Sequence, residues 1–227
     1  IIIGTGIVGE RIIKQIEQHE QAEILAIFDE NQAHLNEIAT QYNLPIAKSY
    51  EEALALKPDW VYIGTPPVSH AVLSCRALKA GLRVLCEKPL AHHTKDGALM
   101  VEAANQYESQ TAMHFPLMYS PEVRHMMRLV EQGDIGQVVR IELNGHFQEW
   151  PRPWQQNPWI GTREQGGFTR EVFPHYFQLM QKMFGLLSID HAQTIYPSDK
   201  TLAETSVIAF GTTEKNIPFL VNGLTDI

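Results

Sequence analysis

The first nine residues constrain the fold more than any other segment. Ile1-Ile2-Ile3 is an apolar strand that runs straight into Gly4-Thr5-Gly6-Ile7-Val8-Gly9. That glycine spacing suits a strand, a tight turn and a helix closing around an anion. Gly4 allows the turn, Gly6 leaves room for a diphosphate, and Gly9 lets the helix pack against the strand, with helix-start N–H groups facing the anion. Gly4, Thr5, Gly6, Ile7, Val8 and Gly9 therefore form a candidate cradle for a dinucleotide. Ile24-Leu25-Ala26-Ile27-Phe28 reads as a second strand, and Asp29 follows it where an acidic residue takes the ribose hydroxyls of such a ligand. A carboxylate there repels a 2′-phosphate. Glu30 adds a second negative charge with no Arg or Lys alongside, so NAD is expected in preference to NADP. The competing reading is a glycine-punctuated turn followed by a chance acid.

Composition narrows the partners. The chain has 227 residues, 44% of them apolar, which is enough for one large or two modest domains. The net charge is −8 and no run of Lys and Arg occurs, which argues against a nucleic-acid or anionic-membrane surface and for small molecules. Only Cys75 and Cys86 are present, so there is no disulfide framework. No apolar stretch is long enough to cross a bilayer, and a cytoplasmic setting is expected. The chain starts inside a strand without Met, from which a missing upstream segment is expected.

Strand and helix patterns then alternate as in a parallel sheet covered on both faces. Helices are predicted over Ile7 to Gln18, Asn31 to Tyr42, Glu51 to Leu56, Ser69 to Ala80 and Thr94 to Tyr107. Strands are predicted at Trp60 to Ile63, Arg83 to Cys86 and Gln110 to Phe115, completing an expected six-strand doubly wound unit over residues 1–119. Beyond Tyr119 the pattern changes. A helix from Pro121 to Gln132 is followed by strands near Gln137 to Phe147, Ser188 to Ile195, Glu204 to Phe210 and Ile217 to Leu224. Residues 120–227 thus read as an α+β domain on an open antiparallel sheet.

Glu87-Lys88-Pro89 lies at the carboxyl end of a parallel strand, where ligands bind in such sheets. A Lys there can hydrogen-bond a substrate hydroxyl and stabilise the alkoxide that forms as hydride leaves. It also fits a surface Lys beside a loop-shaping proline. Together, Gly4 to Gly9, Thr65-Pro66-Pro67-Val68-Ser69-His70 and Cys86-Glu87-Lys88-Pro89-Leu90 resemble the glucose-fructose oxidoreductase and inositol dehydrogenase family, Gfo/Idh/MocA. The resemblance runs in order along nearly the whole chain. It implies a Rossmann domain and an open-sheet substrate domain, with Thr65 and Pro66 beside the nicotinamide ribose, His70 lining the cofactor cleft, and Glu87 and Lys88 next to the cofactor.

That family carries a glycine cluster, then an Asp and, four residues on, a His. Gly166-Gly167-Phe168-Thr169-Arg170-Glu171-Val172-Phe173-Pro174-His175 matches it, with Glu171 where Asp is usual. His175 is therefore the implied acid/base, since imidazole titrates near neutral pH and can take a hydroxyl proton. Glu171 would orient it from the same face if the segment is helical. From spacing alone His175 equally fits a capping or packing residue. Pro174 suits only a first helical turn, so the helix is expected to start near Glu171.

Departures from the family are Phe173 in place of Gly, expected to alter substrate or cofactor space, and Pro116 and Met118 in place of Asn and Arg. Trp150, Trp154 and Trp159 are interleaved with Arg152 and Arg163 in one Pro-rich loop and suggest a substrate wall, since indoles stack on sugar C–H faces and Arg binds carboxylates or hydroxyls. Packing of the indoles onto their own domain is the alternative. His92, His93 and His114 lack a ligand set at familiar spacing, and no metal is expected.

The expected function is an NAD-dependent oxidoreductase moving a hydride between nicotinamide and a hydroxyl-bearing carbon of a sugar, cyclic polyol or related molecule. An NAD-dependent glycosidase with transient redox chemistry, or a non-catalytic nicotinamide-binding sensor, are the alternatives. Family members continue past Ile227, so a fragment is expected. An open sheet face leads to an expected homodimer or homotetramer.

Overall fold

The computed structural model describes residues 1–155 and 157–226. They form two compact units, Ile1–His114 and Phe115–Ile227.

The first unit runs β1 (Ile2–Ile3), α1 (Ile7–Glu17), β2 (Ile27–Phe28), α2 (Gln32–Tyr42), α3 (Tyr50–Ala55), β3 (Trp60–Ile63), α4 (Pro67–Lys79), β4 (Arg83–Glu87), α5 (Thr94–Gln106) and β5 (Thr111–His114). Its strands are all parallel, in the order β2-β1-β3-β4-β5. Successive strand residues point to opposite faces, so each strand feeds two cores. Ile3, Val61, Ile63 and Val84 pack with Ala77 and Leu78 of α4 and Met100 of α5 on one side. Ile2, Ile27 and Tyr62 pack with Ile13 of α1 and Leu35 and Ile38 of α2 on the other. Asn31 caps α2 by accepting from the His34 amide, and Asn43 ends it in the left-handed region.

Five strands form, the five named above, where a six-strand unit was expected. Beside β2, Ile46 makes only an isolated parallel bridge to Ile27. Pro45, with no N–H to give, supplies just its carbonyl to Ile27 N at 2.9 Å, and the pairing ends with Ala47 N on Ile27 O at 3.0 Å. Strand β2 is likewise shorter than the apolar run Ile24 to Phe28. Both cysteines are free thiols; burial pushes Cys86 up to about 12 and raises Cys75, so neither is primed as a thiolate.

The second unit contains a 3₁₀ turn at Pro116–Tyr119, α6 (Pro121–Gln132), β6 (Ile141–Phe147), a 3₁₀ turn at Pro158–Gly161, α7 (Phe168–Glu171), α8 (Phe173–Phe184), β7 (Leu187–Ile195), β8 (Ser206–Thr213) and β9 (Pro218–Thr225). The sheet order is β6-β9-β8-β7. Pairs β7–β8 and β8–β9 are antiparallel, but β6 pairs with β9 in parallel, so the expected antiparallel sheet is mixed. The chain between β6 and β9 includes two helices and two strands, long enough for the crossover that parallel neighbours require.

One sheet face buries Val207, Ala209, Phe219 and Val221 against Phe168, Phe173 and Met180. Gly145 and Gly223 lie opposite each other on β6 and β9. A Cβ at either would come within 2.4 Å of a ring atom, of Phe173 in the first case and of Phe168 in the second. The glycine pair is a notch that seats two aromatic rings. Phe173 is fully buried there, which corrects the expectation that its ring changes substrate or cofactor space.

Candidate functional site

Because every strand of the first unit points the same way, the segments following them gather at one sheet edge. Gly4 to Gly9 follows β1, Asp29 follows β2, Gly64-Thr65-Pro66 follows β3, Lys88 follows β4, and His114 is the last residue of β5. The chain leaves β1 for β2 on one side and β3 for β4 on the other. The cradle therefore opens at the switch point where open α/β sheets bind ligands.

The glycines divide the work. Gly4 has φ +90°, and a Cβ there would lie 2.8 Å from the Gly64–Thr65 backbone. A Cβ at Gly9 would lie 2.0 Å from the Gly4 carbonyl oxygen. Gly6 differs: among the described residues no heavy atom beyond its chain neighbours lies within 4 Å of its Cβ position. Helix α1 starts there without a side-chain cap, and Ile7 and Val8 beside it are exposed. An uncapped helix start, open space at Gly6 and two uncovered apolar residues fit the diphosphate of a dinucleotide.

Asp29 spans the same edge. Its Oδ2 accepts from Thr5 N at 2.7 Å and Thr5 Oγ1 at 3.1 Å, and its Oδ1 accepts from Asn31 N at 2.9 Å. An ionised carboxylate accepts roughly four hydrogen bonds, so Oδ1 retains capacity for a ribose hydroxyl. Thr65 is half-buried and Pro66 exposed, the former receiving the Ser69 hydroxyl at 2.7 Å.

Glu87 is buried beneath Lys88. Its Oε1 accepts from Tyr62 Oη at 2.8 Å and lies 2.5 Å from His114 Nδ1, while Oε2 accepts from Lys88 N at 3.2 Å. Burial alone would raise its pKa, but the hydrogen bond and charge of His114, the Tyr62 hydroxyl and the Lys88 charge hold the carboxyl below its ordinary value. Burial first, then the Glu87 charge, pushes the Tyr62 phenol far up, so it stays a donor. Sequence reading placed Glu87 against the cofactor; the structure makes it the hub that fixes the Lys88 backbone. It missed Tyr62 and His114 as Glu87 partners, because they come from three adjacent strands and only the sheet register aligns Glu87 with His114.

His70 is also corrected. It is fully buried, with Nδ1 2.9 Å from Pro89 O and Nε2 2.8 Å from Thr65 O, so it clamps the two loops rather than lining the cleft. Burial lowers its pKa against the opposing effect of those carbonyls. His93 is the cap of α5, accepting from Lys95 N. Among the described residues no group of three or more His, Cys, Asp and Glu side chains is placed to hold a metal ion.

In the second unit Glu171 is buried and His175 half-buried, but they lie on separate helices. The chain breaks at Val172 (φ −114°, ψ −52°) and α8 starts at Phe173, with Pro174 in its first turn. The expected single helix starting near Glu171 is therefore two short segments, because Pro174 has no N–H with which to continue α7. The Phe115 ring meets the His175 ring edge-on, with centroids 5.8 Å apart. Glu204, absent from the sequence-based site, is buried, and its Oε1 accepts from Thr169 N at 2.7 Å at the start of α7.

The Trp loop separates into packing and open residues. Trp150 donates Nε1 to Ile160 O at 3.1 Å and packs on Phe147 and Phe168, so it belongs to the core. Trp159 is half-buried, its carbonyl accepting the Thr162 hydroxyl at 2.7 Å. Arg163 is exposed, and its guanidinium lies 3.8 Å from the Tyr196 ring centroid. Trp154 stays exposed, with the guanidinium of Arg152 4.6 Å from its ring centroid. Arg152 belongs to the same expected wall segment, and it is this arginine that lies against Trp154.

Known proteins share both units. The profile described as "Oxidoreductase family, NAD-binding Rossmann fold" (GFO_IDH_MocA) matches residues 1–115, and that of the GFO/IDH/MocA C-terminal domain matches residues 123–217. An uncharacterized oxidoreductase of Synechocystis sp. is 27% identical over 81% of this chain and 50% of its own length. An inositol 2-dehydrogenase of Corynebacterium glutamicum is 26% identical over 91% of this chain and 59% of its own. The chain thus spans about half the length of the curated relatives it matches.

Among solved structures, the WlbA dehydrogenase of Bordetella pertussis, in complex with NADH and UDP-GlcNAcA, superposes with a TM-score of 0.86 at 24% identity, covering 100% of this chain and 66% of that one. KijD10, a 3-ketoreductase of Actinomadura kijaniata with NADP and TDP-benzene bound, gives 0.85 at 20% identity, covering 100% and 69%. At these identities the likeness shows the fold. With both profiles matched in order, the chain belongs to the Gfo/Idh/MocA oxidoreductase family, its first unit being that family's NAD(P)-binding Rossmann domain and its second the family's C-terminal domain.

Proposed function

We propose that the protein oxidises or reduces a hydroxyl-bearing carbon of a sugar, cyclic polyol or related small molecule, with NAD in preference to NADP. The observation that carries this reading is the common edge of the first unit, where the glycine cradle and Lys88 follow strands separated only by β3. The names of the relatives, inositol 2-dehydrogenase among them, support the substrate class. Preference for NAD rests on Asp29 and Glu30, two acids with no Lys or Arg beside them in sequence; relatives of this fold have been solved with either dinucleotide.

When bound, the nicotinamide group supplies the hydride acceptor or donor. The chain's own residues do the rest. Lys88 polarises the reacting hydroxyl and stabilises developing negative charge on its oxygen. His175 holds the hydroxyl proton, and Glu171 acts as a buried carboxylate supporting it.

The test is NADH formation by the full-length protein against a panel of sugars and cyclic polyols, with Lys88→Ala and His175→Ala in parallel and NADH affinity measured separately. Turnover should fall about 100-fold or more in each variant, the scale of a lost acid/base group, with NADH affinity retained in His175→Ala. NADH binding without turnover on any panel member would overturn the dehydrogenase reading in favour of transient-redox glycoside cleavage or a sensor.

A further inference from the structure

Arg152 of the Trp loop is held in a built setting. Its backbone N and its Nε both donate to Gln155 Oε1, at 3.1 and 3.0 Å, and Gln155 is itself buried. The guanidinium carbon lies 4.6 Å from the Trp154 ring centroid and 5.5 Å from that of Trp150. Trp150 is in turn fixed by its bond to Ile160 O and by Phe147 and Phe168. The fork is therefore stacked, tethered at Nε and anchored to the core of its own unit.

Among the described residues no hydrogen bond engages its two Nη groups. With Nε committed to Gln155, the remaining edge of the fork is the Nη1–Nη2 pair, which matches two oxygens of a carboxylate or phosphate. Burial disfavours the charged form, and the opposing influences are Glu171 and Tyr176. Guanidinium stays charged in proteins, so a partly desolvated one calls for an acceptor pair. Glu171 places this fork on the side of the candidate catalytic segment, and the exposed Trp154 face supplies a stacking surface for a sugar ring.

We propose that Arg152 binds an anionic oxygen group, carboxylate or phosphate, carried by the substrate, which makes an acidic or phosphorylated sugar the preferred class. The inference rests on the oxidoreductase reading for its substrate being a sugar. Of the two arginines that the sequence placed in this loop, it gives the anchoring role to Arg152 rather than Arg163.

The experiment uses the full-length protein saturated with NADH and titrates D-glucuronate, D-glucose 6-phosphate, D-glucose and myo-inositol by tryptophan fluorescence and calorimetry. Wild type should bind one of the anionic probes about 10- to 100-fold tighter than D-glucose, the range expected for hydrogen bonds to a charged group. Whichever of glucuronate and glucose 6-phosphate is favoured identifies the carboxylate or the phosphate. Arg152→Gln, still folded as shown by a cooperative melt, should erase that discrimination while leaving neutral-sugar binding and NADH affinity unchanged. Arg152→Lys should recover only part of it, because the charge returns without the fork.

Equal affinity for charged and neutral probes, no binding of either anionic probe, or an equal loss for all probes in Arg152→Gln would overturn the proposal. The oxidoreductase reading fails separately, by NADH binding without turnover.

Discussion

Gly6 and Gly9 sit three residues apart in one cradle, yet their hydrogens serve different ends. A methyl at Gly9 meets the Gly4 carbonyl oxygen at 2.0 Å, a collision with backbone that only movement of α1 relieves. A methyl at Gly6 has none of the described residues within 4 Å beyond its chain neighbours, and Gly6 has φ −59°, which alanine adopts without strain. Gly9→Ala should therefore lower the melting temperature of the protein by several degrees, on the scale of about 2–3 kcal/mol. Gly6→Ala should melt like wild type but bind NADH at least about 10-fold more weakly, since the methyl occupies the space left for the diphosphate. Differential scanning calorimetry paired with NADH fluorescence titration separates the two.

Glu87 lends itself to a pH test. Its folded pKa lies below the ordinary 4.5, so the unfolded chain binds the proton first as pH falls. The stability it contributes is thus complete above about 4.5 and lost as pH drops through its lower folded value. Glu87→Gln should flatten that part of the acid limb in pH-dependent melts and cost about 1–3 kcal/mol at pH 7, through weakened bonds to His114 and Tyr62. His70, also lowered, acts in the same direction nearer neutrality, its contribution lost as pH falls below 6.5.

Among elements, the α7–α8 break and the β6–β9 glycine notch are two parts of one solution. Val172 turns the chain out of α7, so that Phe168 and Phe173 both project onto the sheet, ring centroids 5.6 Å apart. Gly145 and Gly223 leave those rings room. Phe173→Ala should cost about 3–5 kcal/mol by denaturant titration, as for a fully buried aromatic side chain. A cost below about 1 kcal/mol would mean that Phe173 is not seated in the notch. The same geometry explains why Glu171 and His175, four apart in sequence, do not share one helix face.

For the whole molecule, the sheet face opposite Phe168 and Phe173 leaves Ile208, Phe210 and Leu220 exposed, while no helix among the described residues is long and apolar enough to cross a membrane. Self-association through that face remains the proposal. Sedimentation of the full-length protein at micromolar concentration should show a dimer or larger species that Phe210→Glu shifts towards monomer, and a wild-type monomer rejects it. Much of this organisation was legible in the chain itself. Apolar runs, glycine turns and caps are local signals, and they placed nearly every helix and strand, including α6 at its observed bounds, as well as the cradle and the Lys88 loop. Sequence alone determined the parallel sheet with its cradle, because strand period, turn conformation and helix start depend on neighbouring residues. Only tertiary structure decided that Ile46 makes a single bridge, that β6 joins β9 in parallel, that Glu87 binds His114 and Tyr62, and that Arg152 rather than Arg163 is stacked and tethered beside Trp154. Each depends on register or packing between residues distant in the chain, and no local pattern encodes the alignment of one strand with another or the side of a loop on which a ring comes to rest.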